Sequence, residues 1–430
     1  MFANGFWERG ALIRHVALNV STLRLALTKR IDCDGLSWDT LRRAMMRTMK
    51  HRILLLSILA GMGHIRAAQA IEEALKELSE EIETLCLDPM RFVSPQISDF
   101  INRFYLWFIE PPLYHFWGFL YENRLLSAPY SPFRWIISQA YAHSIQEILR
   151  EFDPEVIVST HPFATAGASL LKKRGVVNIP LVSVATDFDV HPFSINHEVD
   201  VFIVPDIPVS EDLQKKRISR EKVGVEGIPI DPKFNKNRPK EELKKKLGLN
   251  DGLSTILILS GGFGVGPIEE VVLSFKEARR SLQLIVVAGK DETLREELER
   301  IKGELGVKMR IFGYIENMDE IMEVSDLVIT KPGGLSVAEA LAKRLPLILL
   351  DPIKGQEVKN FKHLIKMGVG IHAKKIEETP KIVTHLLNNP ARLDLMKSRI
   401  EELSRPNSAI EIARLLLDLV KEKEPLLKED

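Results

Sequence analysis

A repeating pattern of buried strand, glycine turn and helix constrains this chain more than any other feature. Residues 53–59 form an apolar run broken only by Ser57, as expected of a strand that is buried on both faces. A glycine turn ends this run, and residues 65–78 follow with the spacing of a helix. Further strands are predicted at residues 156–159, 181–185 and 199–204. Strands that alternate with helices predict a parallel sheet with helices on both faces.

The same pattern starts again after a linker. Between Ile230 and Gly252 the composition shifts to Asp, Asn, Pro and a run of Lys and Glu, which is typical of a linker leading into a charged helix. Beyond it, strands are predicted at residues 255–260, 284–288, 309–312, 327–330 and 345–350, and an amphipathic helix at residues 409–423. The predicted fold class is therefore α/β, with two Rossmann-like, doubly wound domains that face a central cleft.

The chain divides into four segments on this interpretation. Residues 1–48 are an N-terminal extension, 49–235 the first domain, 236–405 the second domain, and 406–430 a C-terminal helix and tail. Fold-like patterning begins abruptly at residue 52, just after Met45, Met46 and Met49. One of these methionines is therefore our favoured start of the chain, and a short helical extension is the alternative.

Composition excludes several classes of protein. The chain has 430 residues, of which 45% are hydrophobic and 27% are charged, a balance typical of soluble globular proteins. Lys and Arg total 59, as do Asp and Glu, so the basic excess typical of nucleic-acid binding is missing. The only cysteines, Cys33 and Cys86, have no metal-ligand spacing. No uncharged apolar run is long enough to cross a bilayer, and charged residues interrupt any signal peptide, so we expect a cytoplasmic protein.

A glycine turn in the second domain predicts a phosphate site. A predicted strand is followed by Gly333, Gly334 and Leu335, and then by a helix that starts at Ser336. Adjacent glycines allow a ligand to approach the backbone closely, and the amide groups and dipole of the helix favour a phosphate. The alternative is an ordinary turn in which Ser336 and Glu339 form a capping box.

Two further glycine loops follow predicted strands. Residues 261–266 contain Gly261, Gly262 and two more glycines, which strengthens the phosphate interpretation. The loop at residues 61–64 lacks the third glycine of a dinucleotide fingerprint, because Arg66 stands in its place. We therefore exclude NAD as a cofactor.

His64 is the candidate general base. It lies at the predicted N-terminus of a helix and at the carboxyl end of a strand, where catalytic groups lie in open α/β sheets. A helix N-terminus lowers the pKa of a histidine and favours the neutral form. The alternative is a capping or solvent-exposed histidine.

Asp187 and Asp189 form a D-x-D pair, a pattern that holds Mn²⁺ or Mg²⁺ in some proteins. Because no third carboxylate adjoins the pair and two glycine loops elsewhere serve the phosphates, we expect no metal. We predict instead that Asp187 and His191 shape the wall of the cleft.

An aromatic segment is the last distinctive feature. Residues 100–135 hold 13 of the 30 aromatic side chains, together with three arginines. Trp and Tyr favour the membrane interface and Arg suits anionic headgroups, so this segment is a candidate for membrane docking through Trp107, Phe108, Phe116 and Trp117. The alternative is an aromatic core of helices in the first domain.

These motifs resemble those of the monogalactosyldiacylglycerol synthases and processive diacylglycerol glucosyltransferases, in glycosyltransferase family 28. The resemblance rests on residues 61–71, on residues 186–192, on residues 261–269, and on residues 331–341 continuing to 352–360. It implies the GT-B fold, with the acceptor on the first domain and a UDP-sugar on the second.

The resemblance also implies roles for single residues. Glu339 would bind the uridine ribose, and the main chain near Phe312 and Tyr314 would hold the uracil. His64 would be the base, with Gly63 on the acceptor side. The diphosphate would face Gly333 to Ser336, and the sugar hydroxyl groups would face Gln356, Glu357 and Asn360.

The implied activity is inverting transfer of a hexose from a UDP-sugar to a membrane lipid such as diacylglycerol, without a metal or other cofactor. A base would take the proton of the acceptor hydroxyl, while helix-end amides stabilise the departing UDP. We expect the enzyme to attach peripherally to the inner face of the cell membrane and to bind no nucleic acid. The alternatives are a polyprenyl-linked acceptor, a UDP-GlcNAc 2-epimerase-like enzyme, and a non-catalytic sugar-nucleotide-binding protein.

Overall fold

The computed structural model describes residues 50–58, 62–92, 132–259, 266–277, 282–353 and 355–421. Within these ranges the chain forms two six-stranded sheets, and every strand pair in both sheets is parallel. The predicted pair of doubly wound domains is confirmed. Outside the described residues lie the N-terminal extension, Gly261 and Gly262, and the aromatic candidates Trp107, Phe108, Phe116 and Trp117.

The first domain is built on the sheet with the strand order β2-β1-β3-β4-β5-β6. Its strands are β1 His51–Leu56, β2 Ile82–Leu87, β3 Val156–Ser159, β4 Leu181–Val184, β5 Val201–Ile203 and β6 Val223–Gly224. Its helices are α1 Met62–Leu78, α2 Pro132–Phe152, α3 Pro162–Lys173 and α4 Ile207–Lys215. The chain order reverses between β1 and β3, so the loops after these two strands leave the sheet side by side.

The second domain is built on the sheet with the strand order β12-β11-β10-β7-β8-β9, and its order reverses between β10 and β7. Its strands are β7 Ser254–Leu259, β8 Leu282–Val287, β9 Lys308–Phe312, β10 Leu327–Thr330, β11 Leu347–Leu349 and β12 Gly370–His372. Its helices are α5 Lys240–Lys246, α6 Ile268–Ser274, α7 Glu292–Ile301, α8 Met318–Val324, α9 Gly334–Ala342, α10 Gln356–Met367, α11 Thr379–Leu387 and α12 Pro390–Leu403.

Most strands lie where the apolar runs predict them. β3 and β10 match their predicted bounds, whereas β1 and β8 each begin two residues earlier than predicted. The edge strands β6 and β12 have two and three residues, which is too short to produce a hydrophobic pattern in the sequence. The central strands are predicted well because they are buried on both faces.

The last helix returns to the first domain. α13 Ser408–Lys421 buries Ile412 and Leu416 in one apolar cluster with Ile71 and Leu75 of α1. The chain therefore crosses between the domains twice. At the first crossing Gly227 has a φ of +97°, and a side chain there would overlap Arg405 of the second crossing.

Replacing Leu416 by Ala is expected to lower the free energy of unfolding by about 3 kcal/mol, because a completely buried side chain is lost from the α1–α13 contact. The matched control is Leu395→Ala on α12, where the leucine is 52% exposed and the expected loss is under about 0.5 kcal/mol. Urea unfolding followed by circular dichroism measures both. Equal losses would contradict the packing of α13 on the first domain.

Candidate active site

The switch points of the two sheets face the same cleft. The loop after β1 leads into α1, and the loop after β10 leads into α9. A side-chain carbon on Gly63, at the start of α1, would lie 4.0 Å from the Cβ of Leu335, at the start of α9. The N-termini of two helices from different domains therefore meet across the cleft, and both direct unpaired amide groups toward it.

His64 is held in one tautomer on the first-domain side of the cleft. Its Nδ1 lies 2.8 Å from the carbonyl oxygen of Thr160 and 2.9 Å from Oγ1 of Thr186. A carbonyl oxygen only accepts hydrogen bonds, so Nδ1 carries the proton and the lone pair is on Nε2. The hydroxyl of Thr160 in turn donates to the backbone oxygen of His64 at 3.0 Å.

Electrostatics keep His64 neutral. Burial lowers the pKa of His64 below its ordinary value, and the neighbouring carboxylate of Asp187 partly opposes this. We predicted the lowered pKa from the helix N-terminus, but the larger cause in the folded protein is burial. A neutral imidazole with a free Nε2 is the form that accepts a proton.

Asp187 connects His64 to the second domain. Its carboxylate accepts hydrogen bonds from the amide of Gln356 at 2.6 Å and from the amide of Asn360 at 2.8 Å, both on α10. Burial raises the pKa of Asp187, while His64 and the two amides lower it. Among the described residues, no group of three His, Cys, Asp or Glu side chains is placed to hold a metal ion.

A second histidine, His161, adjoins His64 and was missed by the sequence analysis. It follows β3, and its ring centre lies 4.6 Å from that of His64. Its Nδ1 accepts a hydrogen bond from the backbone N–H of Phe163 at 3.1 Å, which caps α3. Burial, together with His64, lowers its pKa well below the ordinary value. The sequence signal was the His-Pro pair directly after a buried strand.

The predicted cleft residue His191 belongs to a second His-Pro pair of the same kind. Its Nδ1 lies 3.2 Å from the backbone N–H of Phe193, from which it accepts a hydrogen bond. Burial, and then the charges of Lys359 and Arg134, lower the pKa of His191 to about 3. His191 and Asp187 both line a small cavity beside His64. Their predicted position in the cleft wall agrees with this geometry.

Glu339 lies on the second-domain side. α9 begins at Gly334 with Gly333 as its N-cap, so Ser336 lies inside the helix and the capping-box alternative for Ser336 and Glu339 is wrong. Glu339 instead faces Arg66 of α1, with 3.9 Å between Oε1 and Nη1. Burial raises the pKa of Glu339 to about 7, and Arg66 opposes the rise.

The two adjacent glycines have different surroundings. Among the described residues, a side chain on Gly333 would meet no atom within 4 Å, so there is room beside it for a ligand. A side chain on Gly334 would overlap the carbonyl oxygen of Thr186 in the first domain. The backbone of Gly334 is thus approached closely by the first domain, and its contact with a diphosphate stays a prediction.

The three residues predicted to contact the sugar lie on α10 and bind protein groups in this structure. Asn360 is completely buried: its amide donates to Asp187 and to the carbonyl of Pro332, and its oxygen accepts from the N–H of Phe188. Glu357 accepts from the N–H of Ile353 at 2.8 Å. Asn360 thus belongs to the contact between the domains, and its contact with a sugar remains a prediction.

Two of the predicted nucleoside residues, Tyr314 and Glu339, border a cavity of about 140 Å³ between the domains. The cavity is lined by Gly63 and Arg66 from α1 and by Tyr314, Ser336 and Glu339 from the second domain. Tyr314 is 43% exposed, and its hydroxyl accepts a hydrogen bond from Arg66 at 3.0 Å. The predicted uracil contact at Phe312 is absent from this lining, and the Phe312 carbonyl accepts from Ala288 at 2.8 Å.

Comparisons with known proteins identify the family. Residues 64–230 match the family described as monogalactosyldiacylglycerol (MGDG) synthase, and residues 255–415 match the glycosyltransferase family 28 C-terminal domain. The processive diacylglycerol beta-glucosyltransferase of Bacillus subtilis (strain 168) is 30% identical over 385 residues, which cover 88% of this chain and 97% of the relative. The chain belongs to the family of this diacylglycerol glucosyltransferase. It is a family 28 glycosyltransferase, and the family predicted from the sequence motifs is confirmed.

Two solved structures share the GT-B fold with this family 28 glycosyltransferase. MurG from Acinetobacter baumannii has a TM-score of 0.56 and 15% identity, over 86% of this chain and 99% of the MurG chain. A UDP-GlcNAc 2-epimerase from Neisseria meningitidis, bound to UDP-GlcNAc, has a TM-score of 0.55 and 13% identity, over 85% of this chain and 100% of that chain. At these identities the comparison concerns the fold and not the activity.

Replacing Gly334 by Ala is expected to force the domains of the glycosyltransferase apart, because the new methyl group overlaps the Thr186 carbonyl. We expect a loss of about 2 kcal/mol in unfolding free energy and an increased radius of gyration in small-angle X-ray scattering. Gly333→Ala is the matched control, since a methyl group there meets open space and should change neither quantity. An unchanged radius for Gly334→Ala would contradict the assigned contact.

Proposed function

We propose that this glycosyltransferase transfers a hexose from a UDP-sugar to a membrane lipid such as diacylglycerol, with inversion and without a metal. The observation that carries the proposal is the position of a neutral histidine and a helix N-terminus on opposite walls of one cleft. The printed name of the Bacillus subtilis relative, a processive diacylglycerol beta-glucosyltransferase, supports the lipid acceptor.

The donor is assigned to the cavity on the second-domain side. Glu339, as a carboxylate, would accept hydrogen bonds from the two ribose hydroxyl groups. The diphosphate would lie at the N-terminus of α9, where the free space at Gly333 meets the unpaired amide groups of the helix. Gln356 and Glu357, at the first turn of α10, would face the sugar.

The chemistry follows from this placement. Nε2 of His64 takes the proton of the acceptor hydroxyl, whose oxygen attacks the anomeric carbon of the sugar from the face opposite to UDP. As the bond between that carbon and the phosphate oxygen breaks, negative charge develops on the diphosphate beside the α9 amides. Helix-end amides thus supply the stabilisation that a metal supplies elsewhere. The sugar leaves with inverted configuration because attack and departure take place on opposite faces.

A polyprenyl-linked acceptor would suit the same geometry, so the acceptor is assigned from the relatives and must be tested directly. An epimerase would need only the nucleotide-sugar, and its turnover would not depend on a lipid. A non-catalytic binding protein would bind UDP without turnover. UDP release with and without diacylglycerol, together with UDP binding, therefore tests the proposed function against these alternatives.

We expect UDP release from UDP-glucose or UDP-galactose to require liposomes that contain diacylglycerol. Replacing His64 by Ala should lower this release at least about 100-fold, because the general base is lost, while the Kd for UDP stays within about threefold. Because burial lowers the pKa of His64, activity should persist below neutral pH and decline only as the pH falls through that lowered value.

His385→Ala, an exposed histidine on α11, is the matched control and should retain full activity. A His64→Ala variant with full activity would exclude His64 as the base. Turnover without any lipid would favour the epimerase function, and UDP binding without turnover would leave a polyprenyl acceptor or a binding protein.

We further propose peripheral attachment to the inner face of the cell membrane through the first domain. Among the described residues, no helix is long and apolar enough to span a membrane. Near the start of α2, Trp135 is 63% exposed and Ile136 is 59% exposed, and Trp135 is the last residue of the aromatic segment. Exposed Trp beside Ile is typical of side chains that enter the membrane interface.

Replacing Trp135 and Ile136 together by Ser is expected to reduce co-sedimentation with anionic liposomes by about tenfold, because both side chains lose the free energy of burial in lipid. The control is Leu395→Ser, an exposed leucine in the second domain, which should leave co-sedimentation unchanged. Undiminished co-sedimentation of the double variant would place the membrane contact elsewhere.

A further inference from the structure

Arg66 crosses the cleft from the first domain to the second. It belongs to α1, but its guanidinium donates to the hydroxyl of Tyr314 at 3.0 Å and lies 3.9 Å from the carboxylate of Glu339. The guanidinium carbon also lies 5.4 Å from the centre of the Tyr314 ring. One side chain of the acceptor domain therefore contacts two residues that border the cavity assigned to the nucleoside.

The other charged groups around Glu339 are largely engaged with each other. Asp231 and Lys233, in the segment that joins the domains, form an ion pair at 2.8 Å. Asp319 of α8 pairs with Arg238 at 3.4 Å. Among the described residues that face Glu339, Arg66 is the cation that contacts it, while Lys233 acts from further away. Only 7% of the Glu339 side chain is exposed, so its contact with Arg66 is poorly screened by water.

We propose that Arg66 is a donor-positioning residue, through which the first domain holds Glu339 and Tyr314 in place for the nucleoside of a nucleoside-diphosphate sugar. This rests on the proposed function, in which Glu339 binds the ribose. The planar guanidinium suits the task because it donates to the phenol hydroxyl and faces the carboxylate at the same time, which an ammonium group does less well. The donor site is then complete only when the two domains are closed.

The charge of Arg66 also acts on the ionisation of Glu339. Burial raises the pKa of Glu339 to about 7, and Arg66 is the largest influence that lowers it. Binding of two ribose hydroxyl groups needs the ionised carboxylate, so donor affinity increases as the pH rises through this value. Removal of Arg66 raises the pKa of Glu339 further, and the increase in affinity then moves to higher pH.

The test compares the full-length wild type with Arg66→Ala, Arg66→Lys and Lys290→Ala. UDP affinity is measured by titration calorimetry, and KM and kcat are measured with a UDP-sugar and diacylglycerol liposomes, from about pH 6 to about pH 9. Lys290→Ala is the matched control, because Lys290 lies 5.3 Å from the same Tyr314 ring but does not contact Glu339.

For Arg66→Ala we expect Kd for UDP and KM for the UDP-sugar to rise about tenfold, with kcat within about threefold of the wild type. The pH at which affinity increases should move up by about half a unit. Arg66→Lys should restore the pH profile but only part of the affinity. Lys290→Ala should leave the pH profile in place.

An Arg66→Ala variant with wild-type affinity and an unshifted pH profile would overturn the inference, as would an equal loss in kcat, which indicates a general structural role. These results leave the proposed function intact if the wild type binds UDP and transfers sugar. A wild type that does not bind UDP would overturn both.

Discussion

The site depends most on the hydrogen bonds that the carboxylate of Asp187 accepts from the second domain. Asp187 lies just beyond β4 of the first domain. Its carboxylate accepts hydrogen bonds from the side-chain amides of Gln356 and Asn360, in the first half of α10 of the second domain. The same segment places the Thr186 hydroxyl on His64 and the Thr186 carbonyl against Gly334. One short loop therefore orients His64 and holds the two domains together. Buried hydrogen bonds of this kind are costly to leave unmade.

The doubly wound topology explains why these groups meet. In each sheet the strand order reverses once, between β1 and β3 and between β10 and β7, and the helices that follow start at that point. His64 and His161 follow β1 and β3, and Gly333 follows β10. With the two reversal points opposed, His64 and the N-terminus of α9 lie on opposite walls of one cleft.

The candidate site was only partly predictable. Motif spacing located His64 and Glu339, and the cleft position of Asp187 was expected, because single-residue chemistry at strand ends is visible in a sequence. His161 was missed because its place beside His64 becomes visible only when the loops after β1 and β3 lie side by side. The contacts that Asn360 and Gly334 make between the domains were not predicted. A sequence does not reveal which distant backbone approaches a glycine or an amide.

The sequence by itself determined the central strands and the α/β fold class, because hydrophobic runs and glycine turns act over a few neighbouring residues. Its motifs determined the family. Only the tertiary structure decided the tautomer of His64, the raised pKa of Glu339 and the reach of Arg66 across the cleft. Each of these depends on burial and on groups more than 90 residues apart in the chain, as with His64 and Thr160, whose positions differ by 96. The contacts of Arg66 join the two domains, whereas the contact between His64 and Thr160 lies within the first domain.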